Sequence, residues 1–280
     1  MIKRIILVFL FILMLYTPSL AKGLTVSTSI FILSTVVKDI GKDRVEVSYV
    51  IPVSANPHIF SPTPKDLLSF SKSDLFIGVG YDFEFWFDRV KFMRKNKAAL
   101  FLSDFYKNPI GSKKRPNPHI WLDALFMKDV GIDKITEKMC NLDKSDCDYF
   151  KRNAEELKKK LTNLINKYKN LPKDNLCIVD VKPAFEYFLK SFDLKSCDIV
   201  IKEGSAMPSV GDLKSVFRRC SCKKGVVIYI SNINVARSVA ESTGYKIVQL
   251  NPLGNPSDPK QNEYVKLLKY NLDKLQEALK

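Results

Sequence analysis

One apolar stripe near the middle of the chain constrains its fold more than any other feature. Phe150, Ala154, Leu157, Leu161, Leu164 and Tyr168 recur at steps of four, three, four, three and four between Ser145 and Asn170, the spacing of one face of a helix. Ser145 or Asp146 can cap its start, and Pro172 follows its end. At 1.5 Å per residue such a helix spans on the order of 40 Å, enough to run along two lobes.

The rhythm on either side is different. Before the stripe, Leu24 to Thr28 reads as a strand and Ile30 to Ile40 as a helix stopped by Gly41; Val45 to Ile51 alternates as a strand does. A proline-punctuated loop from Pro57 to Pro64 leads to a helix near Lys65 to Phe70. Apolar runs at Asp74 to Val79 and Ala98 to Phe101 flank a helix at Phe83 to Val90. After the stripe, strands are expected near Leu176 to Val181, Asp198 to Ile201, Val226 to Ile230 and Lys246 to Leu250. Helices are expected between them, and Val265, Leu268, Leu272, Leu275 and Leu279 mark a terminal amphipathic helix. Short strands alternating with helices build parallel α/β sheets. The expectation is an α/β protein of two small lobes with mostly parallel sheets, joined by one long rigid helix, with a ligand cleft between the lobes. The N-terminal lobe takes residues 22–144, the linking helix 145–171 and the C-terminal lobe 172–280. No internal repeat is visible.

The first residues read as an export signal. Lys3 and Arg4 form a charged start, Ile5 to Tyr16 an apolar run, and Ser19-Leu20-Ala21 a small-x-small cleavage site. Twelve apolar residues fall short of the ~20 that a spanning helix needs, so residues 1–21 are expected to be removed. No cysteine follows the run to accept a lipid. A bacterial periplasm is the expected destination, and there six cysteines can pair. Cys140 and Cys147 could staple the short loop between them. Cys177, Cys197, Cys220 and Cys222 are read as bridging rather than as a metal or redox motif, with partners left open.

The charge of +15 comes from 36 lysines and 9 arginines against 30 acids. Readers of nucleic acid lean on arginine's planar fork, whereas lysine is a strongly hydrated point charge. The lysines are spread along helices, so solvated faces are expected and no nucleic-acid partner. No Ser/His/Asp or Cys/His arrangement and no phosphate-binding glycine loop points to an enzyme.

The two histidines, His58 and His119, sit in the same context: Asn56-Pro57-His58 and Asn117-Pro118-His119. Proline restrains its own φ and the residue before it, which helps to aim each imidazole. Both loops lie past strand ends, where open parallel sheets bind ligands. At these residues the chain resembles the substrate-binding proteins of bacterial zinc and manganese ABC importers. Ile51-Pro52, Ser61-Pro62-Thr63-Pro64-Lys65-Asp66-Leu67, Glu84-Phe85-Trp86, Asn117 to Asp123, Ala184 to Phe188, Pro208-Ser209 and Asn251-Pro252-Leu253-Gly254 follow the family's order.

The resemblance implies a divalent metal, zinc or manganese, held between two lobes and delivered to an ABC permease with its ATPase by a monomeric carrier. It implies four ligand positions. His58 and His119 match the first two, while Lys182 and Asn251 stand at the third and fourth. The His-rich acidic loop found in some zinc importers is absent, and Lys107 to Arg115 is basic instead. An ammonium about 4 Å from a divalent ion repels it by ~8 kcal/mol at an effective dielectric near 20, so the site is altered. One expectation is a rebuilt site with a ligand from Asp180, Glu203 or Met207. A second is a Lys182 ammonium in the metal's place, with an anion or a chelated metal as cargo. A third is an adhesin-like or accessory protein that has lost transport.

Overall fold

The structure, a computed structural model, describes residues 23–280 except 96, 203, 204 and 206. The expected export signal and Glu203 therefore lie outside the described residues.

Four parallel strands build the first sheet: β1 (Leu24–Ile30), β2 (Val45–Ile51), β3 (Leu75–Gly78) and β4 (Ala98–Phe101), in the order β2-β1-β3-β4. β1 is central and covered on both faces, so even its Ser27, Thr28 and Ser29 are buried. The Ser27 hydroxyl meets that of Ser73 at 2.7 Å, and Thr28 donates to the Ile30 carbonyl. Helix α1 (Phe31–Gly41) starts directly after β1.

A second sheet follows, of β5 (Leu176–Asp180), β6 (Asp198–Ile199), β7 (Lys224–Tyr229) and β8 (Lys246–Gln249). It is also parallel and runs in the order β8-β7-β5-β6. Counted from the opposite edge, each lobe has the same strand order, second-first-third-fourth. In both, the order reverses beside the first strand, and ligand crevices open at the carboxyl ends of strands at such a point.

Between the sheets, α2 (Ile132–Leu142) turns into α3 (Cys147–Tyr168), the connecting helix. Its 22 residues span about 33 Å. Its buried side chains are Phe150, Ala154, Leu157, Leu161, Leu164 and Tyr168, the whole expected stripe. Helix α4 (Glu186–Ser191) follows β5, and the terminal helix α5 (Tyr264–Leu279) packs back against α3.

One apolar cluster runs from Leu24 through the connecting helix to Leu279 and so belongs to both lobes. The C-terminal lobe has a second cluster around Val179, Val216, Val227 and Tyr245. The N-terminal lobe has an aromatic one built on Phe70, Phe76 and Trp86. Three disulfides close: Cys140–Cys147 at the α2–α3 corner, Cys177–Cys222 and Cys197–Cys220. The Cys220-Ser221-Cys222 segment thus gives one cysteine to β5 and one to the residue that precedes β6.

Candidate metal centre

His58 follows β2 and His119 follows β4, and the same local device presents both. The Asn56 side-chain oxygen accepts the His58 backbone N–H at 3.1 Å, and that of Asn117 accepts the His119 N–H at 3.0 Å. This Asx turn, with proline between, fixes each histidine's backbone. The rings, 61 residues apart in sequence, meet with Nε2 to Nε2 at 3.3 Å. Phe83 and Trp121 pack beneath them, with ring centroids 5.5 Å from His58 and 5.1 Å from His119. His119 is buried and His58 is exposed.

The hydrogen bonds settle the protonation of His119. The Asn117 amide nitrogen donates to the Pro183 carbonyl at 2.6 Å and to Glu186 Oε2 at 2.9 Å. Its oxygen therefore faces His119 Nδ1, 2.7 Å away. An amide oxygen only accepts, so Nδ1 carries the proton and Nε2 has a bare lone pair. Burial, and then the neighbouring His58, holds His119 well below the usual imidazole range. A zinc ion about 2.0–2.1 Å from each of two nitrogens 3.3 Å apart subtends an angle of about 107°, close to tetrahedral.

The turn that carries Phe83 is strained and clamped. Gly80, Tyr81 and Asp82 all have positive φ, at 90°, 53° and 58°. The buried Glu84 carboxylate accepts the Val79 and Gly80 N–H groups at 2.8 and 2.9 Å, and burial raises its pKa.

The C-terminal positions behave differently. Asp180 ends β5, is only 1% exposed, and accepts the Phe185 N–H at 3.2 Å and the Lys182 N–H at 3.4 Å. Burial pushes its carboxyl well above the usual range. It organises its own turn and is not gathered with the imidazoles. The partly buried Lys182 follows, its carbonyl accepting from the Ala184 N–H. Asn251 uses its side chain within its own loop: the oxygen accepts from the Leu253 and Gly254 N–H groups, and the nitrogen donates to Gln261. Met207 is 68% exposed. Among the described residues, no group of three or more His, Cys, Asp and Glu side chains gathers where a metal could be held.

Sequence reasoning missed the residues that bind the lobes together beside this pair. The Tyr187 hydroxyl accepts from the Ile110 N–H at 2.8 Å and donates to the Asn117 carbonyl at 3.0 Å. Trp121 donates its indole N–H to the Pro252 carbonyl, and Tyr264 donates to the carbonyl of Trp121. Asp123 accepts from Tyr106 and from Ser191. Trp121 and Asp123 stand in the Asn-Pro-His-Ile-Trp-Leu-Asp motif and Tyr187 in the matched Ala184 to Phe188 segment, which were the available signals.

Comparison with known proteins shows the family to which the chain belongs. The profile of the family described as periplasmic zinc-uptake complex component A, ZnuA, matches residues 26–278. A Thermotoga maritima protein whose name carries a provisional metal-binding label is 29% identical, the alignment covering 97% of this chain and 98% of that one. The high-affinity zinc uptake system protein ZnuA of Bacillus subtilis is 27% identical over 91% of this chain and 88% of its own. Among solved structures, a mutant of the laminin-binding adhesin Lmb from Streptococcus agalactiae superposes with a TM-score of 0.79 at 25% identity. That superposition covers 92% of this chain and all of the other.

Proposed function

The chain belongs to the family of the periplasmic zinc-uptake complex component A, and on that premise we propose that it is the solute-binding component of a zinc- or manganese-type ABC importer. The observation that carries this reading is the pair of imidazole Nε2 atoms 3.3 Å apart at the strand ends. Their separation suits two bonds to one ion, and His119 keeps a bare lone pair for it.

In this reading His58 and His119 are the protein's ligands to its cargo. Imidazole nitrogen suits zinc and other first-row metals. Lys182 and Asn251 stand where the resemblance puts two further ligands. Asn251 is committed to its loop and Lys182 brings neither a carboxylate nor an imidazole, so the ion keeps positions for other donors. Two neutral imidazoles bring no negative charge, so binding is weaker than at a site with carboxylates. The lobes share a core, so capture involves a small adjustment about the connecting helix rather than wide opening. Residues 1–21 direct export to the periplasm, 22–144 and 172–280 form the lobes, and 145–171 link them. The carrier works as a monomer that passes its ion to a membrane permease driven by an ATPase, and it catalyses no reaction itself.

The test is the metal content of the purified protein together with calorimetric titration of zinc and manganese, repeated on His58→Ala. Binding by the wild type that the variant loses supports the reading. No binding by the wild type even at millimolar metal refutes it.

A further inference from the structure

The two Asn-Pro-His motifs look alike in sequence and differ in what their asparagines do. Asn56 is exposed and accepts the His58 N–H within its turn. Asn117 is only 4% exposed, and its amide is fully used. Two donors enter its oxygen, the His119 backbone N–H and Nδ1–H, and its two hydrogens go to Pro183 and Glu186. The first two partners belong to the N-terminal lobe and the last two to the C-terminal lobe. Its backbone is held as well: the N–H donates to the Ile110 carbonyl at 2.7 Å, and the carbonyl accepts from Tyr187.

Pro183 lies in the turn between β5 and α4, which Asp180 braces and which carries Lys182, and Glu186 opens α4 directly after it. A shift of this turn pulls on the same amide plane that fixes the His119 proton to Nδ1. We infer that Asn117 is a positioning residue that ties the donor state of His119 Nε2 to docking of the C-terminal lobe. With the turn docked, the amide oxygen faces the ring and Nε2 presents its lone pair. With the turn displaced, the amide is released and the imidazole loses the partner that selects this tautomer. Lobe docking and ion capture are then linked, and by thermodynamic reciprocity each strengthens the other. This inference rests on the metal-carrier reading above.

The experiment compares the wild type with Asn117→Ala, Asn117→Asp and Asn117→Asp/Glu186→Gln. Two readouts are used: calorimetric titration of zinc, and two-bond proton–nitrogen correlation spectra of metal-free protein labelled with 15N-histidine. The wild type is expected to show His119 protonated at Nδ1. Asn117→Ala releases that tautomer and weakens zinc binding by about 10–100-fold. In Asn117→Asp a carboxylate still accepts from the ring, so the tautomer stays, but it faces the Pro183 carbonyl and the Glu186 carboxylate and zinc binding falls. Glu186→Gln in that background supplies a donor to the new carboxylate and recovers part of the affinity, a rescue that a general structural defect would not show.

The coupling is overturned if Asn117→Ala binds zinc within twofold of the wild type, or if the Gln change recovers nothing. Retention of the Nδ1 proton in Asn117→Ala overturns the positioning role. If Asn117→Ala does not fold, the Asp and Asp/Gln pair decides. A wild type that binds no zinc refutes the carrier reading, and the tautomer spectra still decide the positioning role.

Discussion

The burial of His119 makes a prediction about acid stability that needs no metal. His119 is 5% exposed, and burial followed by its neighbour His58 drives its pKa well below the ordinary 6.5. Once the chain unfolds, the same imidazole returns to about 6.5 and takes up a proton as the pH falls. The unfolded state then binds more protons than the folded state, so stability from this group is present above about pH 6.5 and is lost below it. The loss is RT ln(1 + 10^(pKa − pH)) for the unfolded group, about 1.4 kcal/mol between about pH 7.5 and about pH 5.5. Glu84 and Asp180, whose carboxyl pKa values burial raises, act with the opposite sign and stabilise the fold as the pH falls. They are common to the wild type and a His119→Asn variant, so they cancel in the difference between the two proteins, which reports His119 together with its interaction with His58. The assay is urea unfolding of chelator-treated protein at the two pH values. It can be followed by tryptophan fluorescence, because Trp86 and Trp121 are both buried. The wild type should lose about 1.4 kcal/mol more than the variant over this interval. Equal losses, or a larger loss in the variant, would refute the claim that His119 is held neutral by its burial.

Three further outcomes follow from the geometry. His58→Ala should weaken zinc binding by more than the about 100-fold that marks the upper end for residues that only orient a ligand; titration calorimetry reads this directly, and a change below tenfold contradicts the role of His58. Tyr187→Phe leaves the Ile110 N–H and the Asn117 carbonyl without the hydroxyl they share. It should cost about 2–4 kcal/mol in urea unfolding, and a loss under about 0.5 kcal/mol would show that this clasp is not needed. Cys177→Ser/Cys222→Ser releases a 45-residue span that the intact Cys197–Cys220 bridge nested inside it shortens to an effective loop of about 23, and Cys140→Ser/Cys147→Ser opens one of 7. The chain-entropy estimates are about 3.4 and about 2.4 kcal/mol, so the first pair of changes should lower the melting temperature more; the reverse order would be inconsistent with the entropic account.

The elements were legible wherever local periodicity dictates burial. All six residues of the stripe in the connecting helix are buried, and β2 runs from Val45 to Ile51 as its alternation implies. The meeting of His58 and His119 was half legible, because the repeated Asn-Pro-His fixes a turn and leaves the approach of two distant loops to the sheet. The shared strand order of the two lobes left no trace in the sequence, since topology constrains which strands neighbour each other and leaves their side chains open. Asp180 and Asn251 could not be understood without coordinates. A carboxylate or an amide at a strand end serves equally well as a ligand or as a brace, and here the backbone N–H groups of Phe185, Leu253 and Gly254 decide it. Tyr187 stood inside the matched Ala184 to Phe188 segment, but its role was hidden for a related reason: a buried tyrosine in an aromatic run reads as core, and only its hydroxyl partners reveal a clasp.

The placement of the disulfides makes the two sides of the cleft unequal in their dependence on redox conditions. Every cysteine stands at residue 140 or later, so the sheet that carries both imidazoles contains none. A reductant therefore has nothing to attack on the histidine side. Its targets are the α2–α3 corner and, more deeply, the first two strands of the opposite sheet, where two bridges meet on one three-residue segment. Thiol exchange would loosen the side that holds Pro183 and Glu186 against Asn117 while leaving both histidines chemically intact. On the proposed reading of the site, the carrier's grip on its ion would then depend on oxidant supply at one remove, through the support of one imidazole rather than through the imidazole itself.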